Sequence, residues 1–80
     1  MAKITLLPGE EFEHFHSEKS ITILTAGKAS IKLGNEKEKQ MKIGISIEIP
    51  EKVSHLISNN GNIECSLDCY HGGSTGGGYR

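Results

Sequence analysis

Tryptophan is absent from this sequence, and phenylalanine and tyrosine occur only twice each. Apolar residues make up 35% of 80 positions, so the large side chains that fill a thick core are scarce. A domain this short buries only about 60% of the surface its unfolded chain exposes. An oligomer, a metal or disulfides would therefore add to its stability. Disulfides are excluded by reach. The two cysteines, Cys65 and Cys69, lie four apart in a segment that reads as a strand. At about 3.3 Å per residue their Cα atoms are about 13 Å apart, against a limit of about 7 Å for a disulfide. Both are expected to be reduced core residues. Long apolar runs are lacking too. Nothing approaches the roughly 20 residues of a membrane span, and the start, MAKITLLPGEE, has no apolar signal core. No membrane partner and a cytoplasmic location are expected. Charge of one sign is also missing. Nine Lys and Arg face ten Asp and Glu, mixed along the chain, for a net charge of -1. Without a basic stripe, nucleic acid has no electrostatic footing here.

What remains is isoleucine-rich strand punctuated by glycine, asparagine and proline. ITILTAG (21–27) reads as a strand ending in a turn, and KASIKLG (28–34) as its hairpin partner. NEKEKQ (35–40) has no apolar face to anchor a helix and reads as a solvated loop. In MKIGISIEIP (41–50), Met41, Ile43, Ile45, Ile47 and Ile49 share one parity, the period-2 signature of a half-buried strand. Gly44 marks a turn or bulge within it. Asn60-Gly61 is the strongest short hairpin signal. After it, Ile63, Cys65, Leu67 and Cys69 alternate with polar residues. Short strands at about 8–12-residue spacing predict an all-β sandwich or barrel. One domain over 1–71 is expected. Residues 72–80 hold five of the ten glycines and are expected to form a flexible tail.

His14 and His16 sit two apart in EFEHFHSEKS, on the parity of Phe12. Positions i and i+2 of a strand share a face at about 6.6 Å, so their imidazoles can converge on one ion. The alternative is a pair of solvent-facing polar residues on an edge strand. His71 reads as a surface residue at the end of the last strand, and Glu48 as a solvated charge.

The second half of the chain adds a third histidine in a recognisable setting. GISIEIPEKVSHLISN carries Gly44, Pro50, His55 and Asn59, and GEEFEHFHSEKSITILTAG carries His14, His16 and Gly27. These two stretches resemble the paired motifs of the cupin superfamily. Lys52 stands in place of the second motif's second glycine, and Gly9 comes one residue too close to His14. The resemblance implies a small antiparallel jelly roll, or double-stranded β-barrel, with His14, His16 and His55 as metal ligands. It also implies a glutamate where this chain has Ser20. A serine supplies no anionic oxygen. Three neutral imidazoles would leave the ion its full double charge, which suits Zn, Fe, Ni or Cu better than oxygen-loving Mn. Glu18 is a substitute donor in the next loop, and a degenerate site binding an organic ligand or nothing is the third outcome. No organic cofactor is expected. Thr22, Leu24, Ile47 and Ile49, with Ser20, are candidates for the lining of a pocket.

The functional expectations are correspondingly open. One is a metal-dependent enzyme on a small molecule, such as a dioxygenase or an isomerase. Another is a non-catalytic ligand-binding cupin. A third, weaker resemblance in ITILTAGKASIKL and CSLDCY is to the small cupin-like nucleoside phosphorylases. A homodimer that covers exposed sheet edges is expected as the assembly.

Overall fold

The computed structural model describes residues 1–15 and 17–71, with His71 described by its backbone alone. His16 and the glycine-rich segment 72–80 lie outside the described residues. Eight strands follow one another: β1 Ala2–Leu6, β2 Glu11–Phe15, β3 Ser20–Ala26, β4 Ser30–Leu33, β5 Lys39–Gln40, β6 Ser46–Ile49, β7 Ser54–Ser58 and β8 Cys65–His71. Among the described residues no helix is long and apolar enough to cross a membrane.

The strands form two four-stranded sheets, ordered β1-β8-β3-β6 and β2-β7-β4-β5. All strand pairs within them are antiparallel. Each sheet turns one face inward. On β3 the buried residues are Ser20, Thr22 and Leu24; on β8 they are Cys65, Leu67 and Cys69. Ile31 and Leu33 of β4, with His55 and Ile57 of β7, come from the other sheet. Leu6, Leu24, Ile49 and Leu67 pack in one cluster with Ile31, Leu33 and Ile57, so the core lies between the sheets.

Several expectations are corrected by the structure. The segments around Gly27 do not form a hairpin: β3 pairs with β6 and β8, whereas β4 pairs with β5 and β7. The two strands bury their apolar faces toward each other across the core instead of lying side by side. Gly27 makes the crossing, at φ 83°, and a Cβ there would lie 2.6 Å from the Glu64 carbonyl oxygen. Asn60-Gly61 does not make a β7–β8 hairpin either. The Gly61 N–H donates to Asn59 Oδ1 at 2.9 Å, a local side-chain turn that competes with the two-residue hairpin. Finally, the alternation through residues 41–49 is broken. Gly44, at φ 84°, donates to the Leu24 carbonyl at 2.9 Å, and Ile45 N–H donates to the Lys42 carbonyl at 3.1 Å. This turn leaves Ile43 and Ile45 59% and 58% exposed, while Met41 and Ile49 are buried. Ile63 is likewise exposed and precedes β8, so the buried alternation begins at Cys65. The 35–40 loop carries a short strand, β5, and Glu38 accepts a hydrogen bond from the buried Ser30 hydroxyl.

The connections define two ends of the barrel. Residues 16–19 link the end of β2 to the start of β3, and residues 50–53 link the end of β6 to the start of β7. Phe15, Ser20, Ile49 and His55 are therefore gathered at one end. At the other lie Leu6, Glu11, Ala26, Ser58 and Cys65. There Asn59 ties the connections together. Its Nδ2 donates to the Leu6 and Ile63 carbonyls at 2.8 and 2.9 Å. Its backbone N–H donates to the Glu10 carbonyl and its carbonyl accepts from Gly9, each at 3.0 Å.

Candidate functional site

His14 and His55 are directly opposed in the β2–β7 ladder. On β2 the even positions, Phe12 and His14, are less exposed than their neighbours, so they face inward. On β7 the buried positions are His55 and Ile57. The register thus brings two histidines 41 residues apart in sequence onto the same inner face (55 − 14 = 41). Their ring centroids are 5.8 Å apart with planes tilted by 55°. The Phe12 ring stacks on His14 at 5.2 Å and 12°, which limits the rotation of that imidazole.

This spacing is within reach of a shared ion. A metal–nitrogen bond of about 2.1 Å puts an imidazole centroid about 3.2 Å from the metal, so centroid separations up to about 6.4 Å are bridgeable. The 5.8 Å separation falls inside that limit, which is reached only with the two nitrogens on opposite sides of the ion. Among the described residues no group of three His, Cys, Asp or Glu side chains is close enough to hold one. His16, the remaining expected ligand, lies outside the described residues.

The residue at the expected carboxylate position is on the facing sheet. Ser20 opens β3 and is 1% exposed. Its Oγ is buried and has no hydrogen-bond partner among the described residues. Thr22, two positions on, is fully buried, and its Oγ1 lies 3.4 Å from Cys69 Sγ across the β3–β8 ladder. Ile49 and Ile47 flank them, each opposite one of the two in the β3–β6 register. Ile49 is buried and Ile47 is partly buried. Leu24, the remaining expected lining residue, is farther along β3, where it joins the core.

Cys69 is a site neighbour that motif reasoning did not single out. The available signal was its parity with Leu67, on a strand that continues to His71, whose backbone pairs with Ser20. Both thiols are free and buried. Burial pushes the Cys69 thiol pKa up, and the Thr22 contact opposes part of that rise. Burial raises Cys65 as well. Neither cysteine is therefore a ready thiolate at neutral pH.

The rim is charged. Glu48 is exposed and pairs with Lys19 at 2.8 Å, and the hydrogen bond to Glu48 raises the Lys19 pKa. Glu18 is exposed and precedes β3. Lys52, in the 50–53 connection, has φ 61°. It stands at the glycine position of the motif and holds the left-handed backbone that a glycine would adopt freely.

No protein-family model matches the sequence, and no curated protein sequence matches it either. Solved structures do. A protein of Thermotoga maritima described as a predicted oxalate decarboxylase superposes with a TM-score of 0.74 at 26% identity, over 84% of this chain and 59% of that one. A protein of Thermus thermophilus superposes at 0.75 and 22% identity, over 84% of this chain and 65% of that one. An RmlC-like cupin family protein of Methanocaldococcus jannaschii, with a double-stranded β-helix fold, superposes at 0.71 and 22% identity, over 86% and 67%. The chain thus spans about three fifths to two thirds of the length of these structures. The two facing antiparallel sheets and these superpositions agree: the chain has the double-stranded β-helix fold of the cupin structures it superposes on.

Proposed function

We propose that this chain is a small metal-binding cupin that binds or acts on a small molecule, with His14, His16 and His55 as the ligands. The cross-strand pairing of His14 with His55 on the inner face carries the reading. A Zn, Fe, Ni or Cu ion would supply Lewis acidity or, for a redox-active metal, oxygen chemistry. In either case the protein's task is to hold the imidazoles neutral and oriented. Phe12 orients His14 by stacking, and the β2–β7 ladder fixes His55 beside it.

Dioxygenase-like and isomerase-like reactions fit three neutral ligands with open positions. The likeness to a predicted oxalate decarboxylase makes oxalate a further substrate to assay. Ser20 favours a second reading, a ligand-binding cupin without turnover, because no carboxylate occupies its position. The edges β1, β2, β5 and β6 support a homodimer in which a second copy covers one of them.

Elemental analysis of protein purified without an affinity tag tests the metal reading. About one equivalent of a transition metal is expected, with uptake lost in His55→Ala. Less than about a tenth of an equivalent, with no uptake on addition, overturns it. Turnover abolished by the same substitution would rule out the non-catalytic reading.

A further inference from the structure

We propose that Ser20, Thr22 and Cys69 form a recognition strip for a small molecule bearing a carbonyl or carboxylate oxygen, in which the Ser20 hydroxyl donates to that oxygen. The inference rests on the small-molecule reading above and specifies its ligand. Three observations carry it.

First, Ser20 Oγ is buried without a hydrogen-bond partner among the described residues. A buried hydroxyl left unpaired costs stability, about 1–3 kcal/mol in mutational series. Such a group is held at a functional site when a ligand supplies its partner. Second, its neighbour on the same face is satisfied locally. Thr22 Oγ1 and Cys69 Sγ engage each other at 3.4 Å, which leaves Ser20 as the hydrogen-bond donor of the strip that is still open. Third, the flanking side chains are the aliphatic Ile47 and Ile49. No Lys or Arg among the described residues is buried. The strip therefore suits an acceptor oxygen attached to a short aliphatic group, and a neutral carbonyl as well as a carboxylate. Ser20 occupies a position where the family resemblance implies a metal-binding carboxylate. Here the residue is assigned to the ligand and not to the ion.

The test uses the full chain, stripped of metal with chelator and separately loaded with Zn. Acetate and acetamide serve as probes, each presenting an acceptor oxygen beside a methyl group; ethylamine, which lacks that oxygen, is the control. Backbone amide shifts of Ser20, Thr22 and Cys69 are followed by NMR during titration. Saturable shifts with acetate, acetamide or both, and none with ethylamine, are expected in the metal-free chain. Binding should weaken at least about fivefold in Ser20→Ala, the loss of one good hydrogen bond. The same variant should melt no lower than the parent, because it deletes an unpaired buried hydroxyl. Thr22→Val, which keeps the shape but frees the Cys69 thiol, serves as a second variant and should weaken binding less than Ser20→Ala. Absence of saturable shifts with both oxygen probes overturns the inference, as does unchanged binding in Ser20→Ala. A lower melting point with unchanged binding would show that the hydroxyl is structural. A chain that takes up Zn and binds neither probe would overturn this inference alone. Probe binding without any metal uptake would support it while the histidine reading fails.

Discussion

The two ends of this barrel are built from the same strands and the same inward parity, yet they are optimised differently. At the end closed by Asn59, the inward residues are Leu6, Leu24, Ile57, Cys65 and Leu67, and every polar group of Asn59 is used. At the histidine end, the same strands present Ser20, Thr22, Cys69, His14 and His55. Backbone strain follows the same division. Glycines take the left-handed turns at the apolar end, Gly27 among them, whereas at the histidine end a residue with a Cβ, Lys52, takes one beside Gly34. An unpaired hydroxyl and a strained lysine gathered at one end are what a site retains when binding, not stability, decides its residues. The comparison can be attacked from either side, by damaging the optimised end or by repairing the other.

The largest effect is expected at Gly27. A Cβ would sit 2.6 Å from the Glu64 carbonyl oxygen and 2.8 Å from Cys65 Cα, on a backbone at φ 83°. Those neighbours are backbone atoms of β8 and its approach, and they cannot rotate away. Gly27→Ala should cost about 3 kcal/mol or more, combining the left-handed penalty with overpacking. A domain of this length has only about 4–12 kcal/mol in total. Urea denaturation reads the change, and a loss under about 1 kcal/mol would show that the crossing is more pliant than the register implies.

Asn59→Ala should come next, at about 2–3 kcal/mol. It strands the Leu6 and Ile63 carbonyls and removes the acceptor for Gly61. The residue lies at the far end of β7 from His55. Metal uptake by the folded fraction should therefore be unchanged, measured by elemental analysis after gel filtration. A variant that keeps its stability but loses metal would erase the division between the ends.

The sequence carried more of the histidine end than of the connectivity. The spacings within each motif, His14 to Gly27 and Gly44 to His55, are local, and the structure places His14 opposite His55 in the β2–β7 ladder. Gly27 and Gly44 have the positive φ that their places in the motifs suggest. Pairing across the barrel is not local. A period-2 pattern marks which face is buried but not against which strand, so β3 and β4 read as a hairpin although they lie in different sheets. The same limit hid Cys69. Its partner Thr22 is 47 positions away, and only the β3–β8 register joins them. Ile43 and Ile45 continued the pattern through a turn set by backbone hydrogen bonds from Gly44 and Ile45, a feature that side-chain parity does not encode.

The smallest effect, and the sharpest test of the contrast, is Lys52→Gly. A glycine inserted into a loop ordinarily destabilises, because the unfolded chain gains freedom worth about 0.5–1 kcal/mol. At φ 61° the balance reverses, since a residue with a Cβ pays about 1–2 kcal/mol for the left-handed region. The net expectation is a gain of about 0.5–1 kcal/mol, read as a higher urea midpoint at constant slope. The two left-handed positions would then respond with opposite sign to exchange between glycine and a larger residue: loss at Gly27, gain at Lys52. A destabilised Lys52→Gly would instead mean that the lysine side chain holds the 50–53 connection in place beside His55. Its methylene stem or ammonium would then belong to the site, and the strain at this end would have a local compensation. Lys52→Asn separates the two outcomes. Asparagine tolerates the left-handed backbone but carries neither stem nor charge, so it should be stabilising if strain alone matters and destabilising if the lysine is engaged.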